Sequence, residues 1–171
     1  MRGGLILIVL ALMMGIQAPL LHALNLSGYA MDIAMIGTLH FASGPFAVMG
    51  LVLSSLLGLI QDALTPGALL GMNMEIMVVV YLVARGLSQR FQLHSPLPLI
   101  VAVLVFSFLK AILFFLLSVL FDRSFGDYIP LLIEAIPHAV VTAILAPLVS
   151  WVLMGMDRGM SRHGHRGPLI K

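Results

Sequence analysis

Five of the ionisable residues within long apolar stretches of the sequence are candidates for a polar cluster. They are Asp32, Glu75, Lys110, Glu134 and His138. A charge inside hydrocarbon costs about 2.5–3.5 kcal/mol on insertion scales, so such residues usually pair and mark either a polar pathway or a specific interface. Lys110 lies near the middle of its apolar stretch. We expect it to pair with Glu75 or Glu134, with His138 nearby, and so to form an intramembrane polar cluster.

These residue types offer little for catalysis. Glu134 and His138 could both bind a metal ion, but the remaining ligands of a metal site are missing from the sequence around them. Asp32 and Asp62 could form an acid pair at matched depth, but no neighbouring residue supports one. The sequence has no cysteine and no nucleophile-elbow, phosphate-loop, dinucleotide-binding or zinc-protease motif. We therefore predict no enzymatic activity, no metal site and no cofactor.

Small and polar residues recur at four-residue spacing in three segments. The sets are Gly50, Ser54, Gly58 and Asp62; Gly67, Gly71 and Glu75; and Glu134, His138, Thr142, Ala146 and Ser150. Residues four apart share one helix face, and small side chains let two helices approach closely in lipid. Each set is therefore expected to face another helix or a cavity rather than lipid.

The overall composition indicates a membrane protein. Of the 171 residues, 61% are hydrophobic and only 9% are charged, whereas soluble domains are near half apolar and about a quarter charged. The mean hydropathy is +1.12. Nine Lys and Arg against seven Asp and Glu leave a net charge of only +2, which gives no argument for nucleic-acid binding. Membrane lipid is the expected surrounding.

The apolar stretches predict the helices that position the polar residues. A bilayer core needs about 20 apolar residues in a helix. The predicted spans are about 3–24, 28–42, 44–62, 69–87, 97–121 and 129–155. The second is short and could instead be tilted or re-entrant. Pro96 and Pro130 lie where helices commonly begin. The predicted fold is an all-α integral membrane protein, a compact bundle of six transmembrane helices over 1–156 followed by a basic tail at 157–171.

The basic residues predict the orientation of this bundle. The connection 85–95 contains Arg85 and Arg90, and the tail 157–171 contains three arginines and a lysine, whereas the connection 122–128 has one arginine between two aspartates. Basic connections stay in the cytoplasm. We therefore expect both termini to be cytoplasmic and the connection 122–128 to lie outside.

One segment resembles a known family. Leu57–Asn73 is similar to the characteristic segment of the bacterial rod shape-determining protein MreD family, which has Gly-Leu-x-x-Asp, a Ser/Thr–Gly turn and then a Gly that opens the next span. The matching residues are Gly58, Asp62, Thr65, Gly67 and Gly71. The chain also resembles the family in its Arg-containing connection after the fourth span and in the stretch Ala143–Pro147 before the basic tail. One departure is Met31-Asp32, where the family commonly has Pro-Asp.

The resemblance implies a six-helix bundle similar to the substrate-binding S-components of energy-coupling-factor transporters. It implies a non-enzymatic inner-membrane component of the elongation complex that builds side-wall peptidoglycan. The expected partner is MreC, and through it a RodA-type glycosyltransferase, a class B penicillin-binding protein and MreB. The turn with Asp62, Thr65, Pro66 and Gly67 would dock this partner, and charge reversal at Asp62 would weaken docking while the bundle stays folded.

An alternative function uses the same fold. The polar cluster could form a ligand pocket, as in an S-component or a small solute carrier. S-components often have Ala-x-x-x-Ala in the first span for their coupling subunit, and Ala11-x-x-x-Gly15 is only a partial match. A carrier is less favoured because no inverted repeat is visible.

Overall fold

The computed structural model describes the backbone of residues 2–24, 30–65, 70–88, 96–121 and 129–163, without the side chains of 2, 18, 22, 96, 121, 129–135 and 157–163. Within these ranges the chain is helical and contains no strand. The helices are α1 (Arg2–Ala23), α2 (Ile33–Ala42), α3 (Ala47–Leu64), α4 (Met72–Ser88), α5 (Pro96–Phe121) and α6 (Ile129–His163). The prediction of an all-α chain is confirmed.

Four of the described helices are long and apolar enough to cross a membrane, namely α1, α3, α5 and α6. This supports the prediction of a membrane protein. Helix α2 has 10 residues, so it extends only about 15 Å, half of a bilayer core. Of the predicted segment 28–42, the described residues 30–42 are helical only from Ile33, and this helix is too short to cross the core.

The helix bounds lie within three residues of the predicted spans except at the start of α2 and at the end of α6. Helix α5 begins at Pro96, and α6 begins at Ile129 beside Pro130, as expected for proline in a first helical turn. Helix α6 extends to His163, eight residues beyond the predicted end. The first part of the predicted tail 157–171 is thus helical, and its remainder lies outside the described residues.

Helix α2 is the centre of the bundle. Nine of its ten residues are buried, and it packs against all five other helices. At Gly37 the neighbouring helices come so close that a methyl group would lie 2.7 Å from a side-chain atom of Leu10 and 2.8 Å from one of Leu57. A larger side chain at Gly37 would therefore displace the ends of the Leu10 and Leu57 side chains.

Helices α3 and α4 form a tight pair along the first small-residue set. A methyl group at Gly50 would lie 2.6 Å from the hydroxyl of Tyr81, and one at Gly58 would lie 2.6 Å from the carbonyl oxygen of Asn73. Gly50, Ser54, Gly58 and Asp62 are all buried. The prediction that this face packs against another helix is confirmed.

The second small-residue set does not pack in this way. Gly71 lies just before α4 with open space around it, and its φ of +99° is a conformation that favours glycine. Glu75 is exposed, and Gly67 lies outside the described residues. Gly71 is therefore needed for the backbone turn into α4, and the expected packing stripe is wrong for Gly71 and Glu75.

The third set faces inward where it is described. Thr142, Ala146 and Ser150 are buried, and His138 is half-buried. The side chain of Glu134 lies outside the described residues. Helix α6 thus turns a polar face to the bundle, as predicted.

The bundle has two distinct ends. At one, which we call the Arg85 end, α2 ends and α3 begins, and Arg85 near the end of α4 donates to the carbonyl oxygens of Ala42 and Gly44. At the other, the Asp62 end, α3 ends and α4 begins.

Candidate functional site

The start of α2 is built around Asp32. Its carboxylate accepts a hydrogen bond from the backbone N–H of Met35 at 3.1 Å, which makes it the N-cap of α2. The backbone N–H of Asp32 donates to the hydroxyl of Thr142 in α6 at 2.9 Å. An acidic cap satisfies a free N–H group and opposes the partial positive charge of the helix start. Asp32 therefore fixes where α2 begins.

Lys110 of α5 pairs with this cap. Its ammonium lies 2.5 Å from the Oδ2 atom of Asp32 and donates to the Oε1 atom of Gln61 in α3 at 3.2 Å. The two side chains of the ion pair are only 15% and 17% exposed. The ion pair therefore connects α2 to α5, and Gln61 adds α3.

The prediction that Lys110 pairs with Glu75 or Glu134 is wrong for Glu75. The sequence predicts Glu75 or Glu134, but Glu75 is exposed at the start of α4, and the structure places Asp32 at the ammonium. The side chain of Glu134 lies outside the described residues. The position of a residue in its apolar stretch predicts its depth in the membrane. The rotation of each helix about its axis determines which side chains at the same depth are in contact.

His138 joins the same site from α6. Its Nδ1 lies 2.8 Å from the carbonyl oxygen of Ala30, and since a carbonyl can only accept, Nδ1 carries the proton. The Nε2 atom of a neutral ring is then a hydrogen-bond acceptor. Among the described residues, no group of three or more His, Asp or Glu side chains could hold a metal ion.

A cavity of about 310 Å³ lies at this site. Polar side chains line it from three helices and from the residue preceding α2: Asp32, Gln61, Ser107, Lys110, His138 and Thr142. The remaining lining is apolar and includes Met31 and Phe114. We call it the Asp32–Lys110 cavity. A mostly apolar pocket with a few convergent polar groups, at the small end of the usual volume range, is typical of a small-molecule site.

A second polar centre lies at the Asp62 end. The carboxylate of Asp62 accepts from the backbone N–H groups of Gly71, Asn73 and Met74 at 3.0, 3.0 and 3.3 Å, and from the side-chain amide of Asn73 at 2.9 Å. Its side chain is 3% exposed. A carboxylate of α3 thus satisfies the free N–H groups at the start of α4.

This geometry bears on the expected docking turn at Asp62 and Thr65. Asp62 is buried and its carboxylate accepts four hydrogen bonds within the chain. Its side chain therefore cannot contact a partner directly. Thr65 is exposed, and its hydroxyl donates to the carbonyl of Gln61 at 2.8 Å, while Pro66 and Gly67 lie outside the described residues. Gly58, Asp62 and Gly71 serve the helix junction, and any docking surface must lie on exposed residues around it.

Three side-chain hydrogen bonds were not expected from the sequence. Gln17 of α1 donates to the carbonyl of Met31 at 2.9 Å, Gln61 accepts from Lys110, and Arg85 donates to the end of α2. Glutamine within apolar stretches was a usable signal, because a buried amide needs partners. Arg85 was treated only as an orientation signal, although it lies in the last turn of its helix.

Comparison of the chain with protein-family models, with curated proteins and with solved structures found no match. The function must therefore be inferred from the residues of the chain and their geometry.

Proposed function

We propose that this chain is a non-enzymatic inner-membrane component of the bacterial cell-elongation complex, similar to MreD. In this role it binds an MreC-type partner and supports side-wall peptidoglycan synthesis and rod shape. Contact with a RodA-type glycosyltransferase, a class B penicillin-binding protein and MreB would be indirect, through that partner.

The α3–α4 junction is the observation that carries the proposal. The family-like residues Gly58, Asp62 and Gly71 have three complementary tasks in it. Gly58 allows the backbones to approach, Asp62 accepts four hydrogen bonds, and Gly71 adopts a positive φ. A loose sequence pattern whose members meet in one structural unit is better support for a family resemblance than the same residues scattered over the fold.

The proposed arrangement is a six-helix membrane bundle of the S-component type. Four helices can cross the bilayer by themselves, whereas α2 would be a half-span shielded by its neighbours. A segment that is buried in protein on all sides does not contact lipid, so it can lie within the bilayer without spanning it. With Arg85, Arg90 and the basic tail on the cytoplasmic side, the Arg85 end would face the cytoplasm and the Asp62 end would face outward.

The Asp62 end is the proposed docking surface. Leu64 and Leu70 flank the buried junction and are exposed, Leu70 at 78%. In the junction beneath them, Asp62 of α3 accepts hydrogen bonds from the start of α4. A membrane-proximal segment of the partner would pack on these leucines at the outer membrane surface.

Affinity purification from the native membrane tests this function. A tagged chain is extracted in mild detergent, and co-purified proteins are identified by mass spectrometry. The proposal predicts recovery of a single-span protein with a periplasmic coiled coil, together with cell-wall synthases. Recovery of ATPase and coupling subunits instead would contradict it and identify a transporter component.

The Asp32–Lys110 cavity favours a second candidate function, the binding of a small solute by the bundle. Its volume and its convergent polar groups fit a small-molecule site. The scaffold and solute-binding functions share one fold, so the fold cannot separate them.

A further inference from the structure

We infer that the Asp32–Lys110 cavity binds a small organic solute without net charge, which has a hydrogen-bond acceptor and a hydrogen-bond donor beside a planar apolar portion. This inference rests on the second candidate function and names its ligand class.

The charge of the ligand follows from the ion pair. Asp32 and Lys110 neutralise each other, and both already have further partners, namely the Met35 N–H for the carboxylate and Gln61 for the ammonium. A ligand with a net charge would find no free counter-charge among the described lining residues. Since an unpaired charge is unfavourable in a mostly apolar site, an uncharged solute is favoured over either ion.

The hydrogen-bonding pattern of the ligand follows from the groups that remain. The Oε1 atom of Gln61 accepts from Lys110, so the amide N–H₂ of Gln61 is left to donate. The Nδ1 atom of His138 is bonded to Ala30, so Nε2 is left to accept. A complementary ligand therefore presents an acceptor to Gln61 and a donor to His138, and Ser107 can bond to either.

The apolar part of the ligand follows from the rest of the wall. Phe114 and Met31 line the cavity together with alanine side chains. An aromatic ring offers a flat apolar surface for stacking, and methionine adapts to an aromatic partner. A volume of about 310 Å³ accommodates a single-ring compound with small polar substituents.

The absence of cysteine from the sequence allows a clean test. Ser107→Cys places one thiol in the cavity, and Ser118→Cys is a matched control at a buried position of the same helix. Each full-length variant is purified in detergent and labelled with N-ethylmaleimide. Labelling is repeated with benzamide, benzamidine or benzoate, which have nearly the same shape but carry no charge, a positive charge and a negative charge.

The inference predicts that Ser107→Cys is labelled and that benzamide alone protects it. At a benzamide concentration of about twice the dissociation constant, two-thirds of the sites are filled and the labelling rate falls about threefold. Labelling of Ser118→Cys stays slow and unchanged by all three compounds. Adding Gln61→Leu should remove the protection but not the labelling. Thermal unfolding of the unaltered chain gives a second readout, since benzamide alone should raise its Tm.

Some results would contradict only the proposed ligand class, and another would contradict solute binding itself. Stronger protection by benzamidine or benzoate, equal protection by all three, or protection by none would overturn the proposed ligand class while leaving an open cavity. A folded Ser107→Cys variant that is labelled only after denaturation would show a closed cavity. That result would also remove the second candidate function, and the scaffold proposal would remain.

Discussion

Asp32 and Arg85 bond to opposite ends of the same buried helix. Asp32 accepts from the backbone of Met35 at the start of α2, and Arg85 donates to the carbonyl of Ala42 at its end. The negative carboxylate interacts favourably with the positive end of the helix dipole, and the positive guanidinium interacts favourably with the negative end. Both ends of α2 would otherwise leave unpaired backbone groups inside the bundle. These two residues therefore explain how a ten-residue helix can be buried there.

Replacing Arg85 should loosen the end of α2. Arg85→Ala removes the donors to Ala42, Gly44 and Pro45, and we expect a loss of about 1–3 kcal/mol in unfolding free energy. Arg85→Lys should recover only part of this, because an ammonium lacks the planar fork that reaches several carbonyls. Hydrogen exchange of peptides covering 40–50 should accelerate in Arg85→Ala. Unchanged exchange there, or an equal effect of Leu87→Ala at an exposed position of α4, would contradict this role.

The ion pair between Asp32 and Lys110 should give a large coupling energy. Asp32→Asn and Lys110→Met each leave one charge without its partner, so we expect each to cost about 2–4 kcal/mol. The double variant should be more stable than the sum of the two losses predicts, by about 1–3 kcal/mol. The measurement is the unfolding free energy in detergent micelles for the four proteins of the cycle.

Glu75 gives the matched control for this cycle. It is exposed, so Glu75→Gln should change stability by less than about 0.5 kcal/mol. Its effect should add to that of Lys110→Met. Strong coupling of Lys110 to Glu75, with additive effects of Lys110 and Asp32, would mean that the helices are rotated differently from the structure described above.

The buried carboxylate of Asp62 should be essential for the α3–α4 junction. Asp62→Ala leaves the N–H groups at the start of α4 without their acceptor, and we expect a loss of about 2–3 kcal/mol. Thr65→Ala, three residues away at an exposed position, should cost less than about 0.5 kcal/mol. Thermal unfolding of both variants measures the difference. A stable Asp62→Ala variant with an unstable Thr65→Ala variant would reverse the roles assigned to these residues.

The close contact at Gly58 predicts that a larger side chain there destabilises the α3–α4 pair. Gly58→Ala places a methyl group 2.6 Å from backbone atoms of Asn73 and Met74, and backbone cannot move aside as a flexible side chain can. We expect a loss of about 1–3 kcal/mol from overpacking. Gly15→Ala is the control, because nothing lies within 4 Å of its methyl position, and alanine should be neutral or stabilising in a helix. Equal behaviour of the two variants in thermal unfolding would argue against the tight α3–α4 contact.

The helices were predictable from the sequence because the length of an apolar run limits what it can form. Proline then fixes the start, as at Pro96 and Pro130. The packed face with Gly50 and Gly58 was also readable, since four-residue spacing determines which residues share a face. The short α2 was noticeable from its length, although its exact role as the central helix was not.

The partners of the polar residues were harder to predict. Gln61 and Asp62 are adjacent in the chain, yet one bonds to Lys110 in α5 and the other to the start of α4. Neighbouring helical residues point about 100° apart, so a small rotation changes every partner. Depth in the membrane cannot supply that rotation. This is why Lys110 was matched to Glu75 or Glu134 instead of Asp32.

The docking surface gives the most direct test of the proposed function. Leu70 at the Asp62 end is 78% exposed, and Leu97, at the start of α5, is 74% exposed. Tagged Leu70→Glu and Leu97→Glu variants should both insert and fold. We predict that recovery of the single-span coiled-coil partner from native membranes falls at least tenfold for Leu70→Glu, corresponding to about 1.4 kcal/mol, and stays unchanged for Leu97→Glu. Full recovery of the partner with Leu70→Glu, or an equal loss with both variants, would contradict docking at the Asp62 end.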